Sequence, residues 1–235
     1  MKHFFKTSLS ISLLPIALIA CSSNPPSRSV PESKRIYIPQ EEILVKRYIP
    51  RKEVPASYYS WIAQNDHLSQ VTLYENYLKR HDVNNVVPMF ELLRSARDWQ
   101  KCGRSEYAVP HREVWQNQIE TLRVIKYLVA SKILTDYTIT SVYRDSALNK
   151  CAGGASASRH VFNSAIDFRI GPAIPNAEDY VFIESTKFKL CEFWKQYGQD
   201  FNMGLGMYSS GQIHIDTQGY RTWGPSHSKD SSMCL

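Results

Sequence analysis

Two stretches of the sequence, ITSVYRDSALNKCAGGASASRHVFNSAID at residues 139–167 and GQIHID at residues 211–216, together hold the densest group of potential zinc ligands in the chain. The candidate zinc ligands are His160 and Asp167 in the first segment and His214 and Asp216 in the second. A catalytic zinc uses three protein ligands, imidazoles with or without a carboxylate, and keeps a fourth position open for water. Three of these four side chains would therefore suffice for a zinc site.

Three short runs around these residues have the β-branched and aromatic composition that is typical of strands. They are YTITSVY at 137–143, AIDFRI at 165–170 and QIHID at 212–216. Side chains alternate between the two faces of a strand, so Asp167 shares a face with Ala165 and Arg169, and His214 shares one with Asp216. The two ligand-bearing strands can therefore direct their side chains at one ion, although only tertiary structure can bring them together.

In the order and spacing of these residues the chain resembles the zinc D-alanyl-D-alanine carboxypeptidases and their peptidoglycan endopeptidase relatives, the M15-like peptidases. In that family a YR…N stretch precedes SxHxxGxAxD, and a later HxD supplies the last ligand. The positions that match here are Tyr143, Arg144, Asn149, Ser158, His160, Ala165, Asp167, His214 and Asp216. The resemblance extends over about residues 88–223.

The resemblance implies that Zn²⁺ is held by His160, Asp167 and His214. Such an ion polarises a peptide carbonyl and lowers the pKa of its bound water to about 7. The resemblance also implies that Arg144 grips a substrate carboxylate, for which a planar guanidinium offers two parallel hydrogen bonds. Three further residues are expected to shape the substrate pocket: Tyr143, Ser158 and Asn149.

Two positions depart from the family pattern. The glycine three residues after the first histidine is replaced by Asn163, which tolerates a left-handed backbone better than most residues. A catalytic carboxylate that many relatives carry three residues before the last histidine is replaced by Gly211, as is not unexpected in the crosslink-endopeptidase branch that residues 210–223 resemble. Asp216 is then the candidate general base, but it could equally orient the imidazole of His214.

The first twenty residues have the layout of an export signal, with a basic start, an apolar run and small residues before Cys21. Residues 18–21, LIAC, resemble a bacterial lipobox, which implies that Cys21 is lipidated. Ser22 after that cysteine implies delivery to the outer membrane. The alternative is an ordinary signal peptide cut nearby. We therefore expect a periplasmic lipoprotein.

If Cys21 is lipidated, the chain's five cysteines leave four others: Cys102, Cys151, Cys191 and Cys234. In an oxidising periplasm these can form two disulfides, with three connectivities that the sequence does not distinguish. No pair has CxxC spacing, which argues against a structural zinc site made of cysteines.

Composition predicts one domain and a tail. The 235 residues are 43% hydrophobic, enough to bury a core. Residues 21–56 are rich in proline and predict an extended tether, although the runs RIYI and EEILV could pair as edge strands. The formal charge of +6 falls to +4 without the signal's two lysines, and this mild excess suits an anionic cell-wall polymer or membrane headgroups better than nucleic acid.

The predicted domain, residues 57–235, contains several helical patterns. Residues 57–81 place Leu68, Val71, Tyr74 and Leu78 at helical spacing, and Pro88 is suited to open a second helix, MFELLRSARDW. Residues 113–130 form the clearest apolar stripe, and residues 179–197 predict a further helix. With the resemblance, these patterns predict an α+β domain of the hedgehog/D,D-peptidase type, with helices packed on a small antiparallel sheet.

The function predicted is zinc-dependent hydrolysis of peptide bonds in peptidoglycan stem peptides or the crosslinks between them. The sequence does not decide between a D,D-carboxypeptidase and an endopeptidase, and it does not predict the oligomeric state. The alternative from another class is a non-catalytic peptidoglycan-binding or scaffold lipoprotein that keeps zinc for stability. Gly211 is the main support for that alternative.

Overall fold

The computed structural model describes residues 52–235. The predicted export signal, Cys21 and almost all of the predicted tether, including its RIYI and EEILV runs, lie outside the described residues, so these remain predictions. The elements are α1 (Ala56–Ile62), α2 (His67–Arg80), α3 (Met89–Leu92), α4 (Asn117–Ala130), β1 (Tyr137–Ser141), α5 (Ser146–Cys151), β2 (Ala165–Ile170), α6 (Ala177–Tyr197), β3 (Gly204–Met207), β4 (Gln212–Asp216) and β5 (Arg221–Trp223).

The five strands form one sheet in the order β1-β2-β4-β3-β5. Every neighbouring pair is antiparallel except β3 and β5, which run parallel. The β2–β4 register places Asp167 opposite His214 and Ala165 opposite Asp216. The predicted α+β class with helices on a small sheet is confirmed, and the sheet departs from a purely antiparallel one only at its β5 edge.

Helix α4 packs its apolar stripe into the core, as the sequence predicts. Trp115, which precedes the helix, is buried, and the buried side chains of the helix follow at helical spacing: Ile119, Leu122, Ile125 and Leu128. The Thr121 hydroxyl donates to the carbonyl of Ser164, 3.0 Å away, and so ties the helix to the residue before β2. The helix therefore supports the strand that carries Asp167.

Two helix predictions are wrong in detail. Residues 57–81 form two helices rather than one, because the chain turns at residues 63–66, where Asn65 adopts a φ of 52°. This break turns Leu68 away from the core and leaves it 62% exposed, whereas Val71, Tyr74 and Leu78 are buried. The helix after Pro88 ends at Leu92, since Arg94 leaves it to pair with Tyr107.

The two predicted disulfides are present, and the structure selects one of the three connectivities. Cys102 pairs with Cys151 at the end of α5, and Cys191 in α6 pairs with Cys234. The first disulfide fastens the loop between Arg94 and Tyr107 to the helix that follows Arg144.

The fold takes in residues ahead of α1. The Lys52 ammonium forms an ion pair with Glu91, 2.9 Å from Oε1, and also donates to the Tyr137 carbonyl at the start of β1. Glu91 is buried, so this contact joins the entry of the chain to the sheet. Within residues 52–235, none of the helices combines the length and the apolar character that crossing a membrane requires.

Candidate metal and catalytic site

Three side chains from separate parts of the chain converge on one point. His160 comes from the loop after α5, Asp167 from β2 and His214 from β4, and one potential ligand atom of each lies within 4.8 Å of the others. Asp167 Oδ1 lies 3.1 Å from His160 Nε2 and 2.8 Å from His214 Nδ1. We call these three residues the triad.

His160 is held by backbone groups. Its Nδ1 lies 2.6 Å from the carbonyl oxygen of Val142, to which it donates, and Nε2 therefore presents its lone pair to the triad. The amide of Arg144 in turn donates to the His160 carbonyl at 3.2 Å. The imidazole is buried and cannot rotate without losing its bond to Val142.

Asn163 performs the turn that the family pattern assigns to glycine. Its φ is +51°, its amide donates to the His160 carbonyl at 3.1 Å, and its side-chain amide donates to Val114 at 3.1 Å. Asparagine is one of the few side chains that adopts this left-handed backbone at modest cost. The substitution thus keeps the turn and adds an anchor to the segment that precedes α4.

His214 is oriented by a carboxylate. Its Nε2 donates to Asp216 Oδ2 at 3.1 Å, which leaves Nδ1 facing Asp167. A histidine ligand is commonly fixed in one tautomer by such a hydrogen bond from its other ring nitrogen. The remaining ring nitrogens, His160 Nε2 and His214 Nδ1, therefore both face the Asp167 carboxylate.

Asp216 is closed off from solvent, with 0% of its surface exposed. Arg221 donates to both of its oxygens, at 3.1 and 2.6 Å, and the amide of Gln218 donates to Oδ1 at 2.9 Å. With His214 on Oδ2, protein donors occupy both oxygens of Asp216. Of the two roles that the sequence left open, this geometry favours orientation of His214 over general-base catalysis.

Arg144 lies beside the triad. Its Nη2 donates to Asp167 Oδ2 at 2.6 Å and its Nε donates to Ser141 Oγ at 2.8 Å, while that hydroxyl donates to the Ser95 carbonyl. Among the described residues, none accepts a hydrogen bond from Nη1. Arg144 therefore fixes the Asp167 carboxylate with one nitrogen and is itself held by Ser141 through another.

The pKa values reflect these contacts. Burial lowers the pKa of His160 against the opposing pull of Asp167. Burial also acts to lower the pKa of His214, but hydrogen bonds to Asp167 and Asp216 outweigh it and raise the pKa to about 9. Burial acts to raise the pKa of Asp167, but the two imidazoles hold it well below the usual range of a carboxyl group. In the absence of metal, a proton on His214 holds the three groups together.

The triad suits a divalent cation. Two imidazole nitrogens and one carboxylate oxygen are a donor set typical of catalytic zinc, which leaves a fourth position for water. Three electron-rich atoms this close together repel one another unless a cation or a proton lies between them. The pKa of His214 is raised because a proton on its ring relieves that repulsion by bonding to Asp167 and Asp216. The same geometry would favour a metal ion in the proton's place.

The predicted pocket residues have different surroundings. Tyr143 is buried next to Arg144, with its ring edge-on to His111 at a centroid distance of 6.0 Å. Asn149 lies in α5, where its side chain donates to the Ala155 carbonyl at 2.9 Å and holds the loop that leads to His160. Ser158 begins the turn before His160 through backbone bonds. Tyr143 packs against His111, whereas Asn149 and Ser158 shape the loop that carries His160.

Sequence reasoning missed Tyr208 and gave Trp223 no role. The Trp223 ring lies 5.2 Å from that of His214, and its Nε1 donates to the Tyr208 hydroxyl at 3.1 Å. His227 packs beside Tyr208 at 5.4 Å between ring centroids. The signal was the GLGMY run that contains β3, because a side chain at Gly206 would collide with the Trp223 indole.

Gly211 cannot be replaced by a carboxylate without strain. Its φ is +74°, and a Cβ there would lie 2.9 Å from the carbonyl oxygen of Ile170. Glycine adopts this backbone freely, whereas a side chain is strained in it. The departure from the family pattern at this position is thus a property of the turn that leads into β4.

A model of one protein family, described as Peptidase M15, matches residues 91–216. The matched span contains all three triad residues, Arg144 and Asp216. No curated protein matches the chain, and no solved structure does.

Proposed function

The chain belongs to the peptidase M15 family, and on that premise we propose that it is a zinc-dependent hydrolase of peptide bonds in peptidoglycan stem peptides or their crosslinks. The observation that carries the proposal is the convergence of His160 Nε2, Asp167 Oδ1 and His214 Nδ1, with the other ring nitrogen of each imidazole hydrogen-bonded to a protein oxygen. The ligand motif and its order along the chain support the same conclusion.

In this proposal His160, Asp167 and His214 hold the zinc. When bound, the ion supplies Lewis acidity toward a carbonyl oxygen and lowers the pKa of a water molecule to about 7. The chain's own contribution is orientation. Asp216 holds His214 in one tautomer, Val142 does the same for His160, and Arg144 fixes the free oxygen of Asp167.

We assign Arg144 and Tyr208 to the substrate. The unpaired Nη1 of Arg144 suits a substrate carboxylate or carbonyl oxygen beside the triad. Tyr208 receives a hydrogen bond from Trp223, so its own hydroxyl proton is free for another acceptor. Burial raises the pKa of Tyr208, which keeps it protonated near neutrality and makes it a donor.

The proton acceptor for the attacking water is not the carboxylate of many relatives, since position 211 is glycine and Asp216 is enclosed. His227, whose ring packs beside Tyr208, is the exposed imidazole that we propose for this role. If a His227→Ala variant retained both its zinc and the wild-type turnover, His227 would not be the proton acceptor.

We further propose that the protein acts in the periplasm, held at the outer membrane by a lipid on Cys21. The signal-like first twenty residues support this location. Two disulfides support it as well, because such bonds persist in oxidising compartments.

The test is digestion of purified sacculi by the full chain, with muropeptides separated afterwards. We expect new muropeptides from the wild type, none after chelation, and recovery when zinc is added back. His214→Ala should be inactive with or without zinc, whereas His81→Ala, which changes a histidine outside the triad, should behave as wild type. Unchanged digestion in excess chelator would contradict the zinc mechanism.

The same experiment separates the scaffold alternative. A wild-type protein that sediments with sacculi and binds zinc, yet releases no muropeptide under any condition, would be a binding protein with a structural metal. Both an enzyme and a structural zinc site would orient their imidazoles in this way, so the release of muropeptides decides between them.

A further inference from the structure

A groove of about 890 Å³ lies apart from the triad, between α2 and the segment that precedes α4. Its lining combines cations with apolar side chains, among them Lys79, Arg80, Arg112, Leu73, Val109 and Trp115. Leu73 is 57% exposed although it is a large hydrophobic residue. Two amides, those of Gln70 and Asn76, complete a surface that could bind a peptide backbone.

The charge of this groove is one-sided. No aspartate or glutamate belongs to its lining. None of its three lysine and arginine residues takes part in any ion pair found among residues 52–235, although other cations there, such as Lys126 and Arg123, are paired with carboxylates. Arg80 and Arg112 instead lie over the rings of Tyr77 and Trp115. Several unpaired cations around an apolar floor favour an anionic ligand that also has apolar parts.

One wall of the groove contacts residues that neighbour the site in sequence. His111 lines it and packs edge-on against Tyr143, the residue before Arg144. Three residues beyond His111, the Val114 carbonyl accepts the side-chain bond from Asn163, in the turn that holds His160. The Trp115 indole closes this wall by donating to the Pro110 carbonyl at 2.8 Å. The wall of the groove is thus in contact with the residue before Arg144 and with the turn that holds His160.

We propose that this groove binds the peptide portion of the substrate at a distance from the cleaved bond, and that Lys79, Arg80 and Arg112 recognise its free carboxylates. The inference rests on the proposed function, because it takes the substrate to be an anionic stem peptide. It adds a specificity: substrates with free carboxylates are preferred to the same substrates with amidated ones.

The test compares two double variants of the full chain with equal loss of charge. Lys79→Gln/Arg112→Gln changes the groove. Lys189→Gln/Lys195→Gln changes two lysines of α6, and neither of these lines the groove. All four are exposed, so both variants should fold, which thermal melts verify. Each is assayed on a crosslinked muropeptide dimer with free carboxylates and on its amidated counterpart.

We expect the groove variant to raise KM for the free-carboxylate dimer by about tenfold, the effect of losing charge-assisted hydrogen bonds at a partly exposed site, with kcat within about twofold. The α6 variant should match wild type, and KM for the amidated dimer should not change. An equal rise in both double variants, or an equal rise for both substrates, would overturn the proposal. So would unchanged KM with a loss of binding to phosphatidylglycerol vesicles, which would make the groove a lipid site.

If the wild type cleaves neither dimer, binding decides. Sedimentation of the protein with intact sacculi at low salt should then fall for the groove variant and not for the α6 variant. That result would support the groove while the proposed hydrolysis fails. Equal sedimentation of both variants would refute the groove proposal as well. If instead the dimers are cleaved and the groove variant has an unchanged KM, only the groove proposal is refuted and the proposed hydrolysis stands.

Discussion

Two halves of the triad are built in different ways. Asp167 and His214 face each other across neighbouring strands, so the β2–β4 register sets their distance. His160 lies in a loop without regular structure and is positioned by Val142, Arg144 and the turn at Asn163. The strand half depends on a ladder of backbone bonds, whereas the loop half depends on contacts that are distant in sequence. The two halves should therefore fail differently when they are altered.

The largest effect is expected in the strand half, from Asp167→Ala. This change removes a proposed ligand and leaves the Arg144 guanidinium without its partner at the metal position. We expect zinc content near zero and a loss of activity of about a thousandfold or more. Metal analysis and muropeptide release measure both quantities, with Asp200→Ala as an exposed control. Full zinc content in Asp167→Ala would show that the strand half does not hold the ion.

A smaller effect is expected from Asp216→Asn, which keeps the shape of the side chain that orients His214 but removes its charge. Loss of such an orienting carboxylate typically weakens metal affinity about 10- to 100-fold. Zinc affinity is measured by competition with a chelator. If Asp216 were instead the general base, kcat would collapse at saturating zinc while the affinity stayed unchanged, and this outcome would reverse the assignment.

The loop half is broken by Asn163→Val. A β-branched residue at a φ of +51° is strained, and the bond to Val114 is lost as well. We expect a loss of about 1–3 kcal/mol in the free energy of unfolding, and a weaker affinity for zinc. Asn163→Gly is the matched control, since it loses the same bond but accepts the backbone. Equal destabilisation by the two variants would mean that the turn does not need a left-handed residue.

The smallest effect concerns pH and sharpens the difference between the two imidazoles. In the metal-free protein the pKa of His214 is raised to about 9, so its stabilising contribution is complete below about pH 6.5 and is lost as the pH rises through 9. His160, whose pKa is lowered, does not titrate in this window. Melting of chelated protein between pH 7 and 9.5 should show the decline.

Zinc should abolish that decline, because the metal takes the place of the proton on His214 Nδ1. His214→Ala in chelator should lack the decline too. A chelated wild-type protein whose Tm stays constant from pH 7 to 9.5 would contradict the proton-holding arrangement of Asp167, His214 and Asp216.

The strand half was predictable from sequence because it follows from local patterns. Alternation along AIDFRI and QIHID places Asp167 and His214 on definite faces, and the register then brings them together. The loop half was not predictable in its geometry, although the motif identified His160. Its supports, the Val142 carbonyl and the Val114 carbonyl, are backbone groups that carry no signature in the sequence.

The role of Asp216 could not be settled from sequence for a similar reason. The i, i+2 spacing from His214 places it on the right face, but only the fold shows that Arg221 and Gln218 occupy its oxygens. The short strands β3 and β5 also escaped prediction. Gly204 and Gly206 weaken the strand pattern in the first, and the second has only three residues.

Those two glycines of β3 have a further consequence. A methyl group at Gly204 would lie 2.6 Å from Asp216 Oδ2, and one at Gly206 would collide with the Trp223 indole. Because β3 has no side chain at these two positions, the Asp216 carboxylate and the Trp223 indole can lie directly against its backbone. We therefore expect an alanine scan to find inactive variants at Gly204 and Gly206, although neither residue has a reactive side chain. Both matter because of the space that they leave for Asp216 and Trp223.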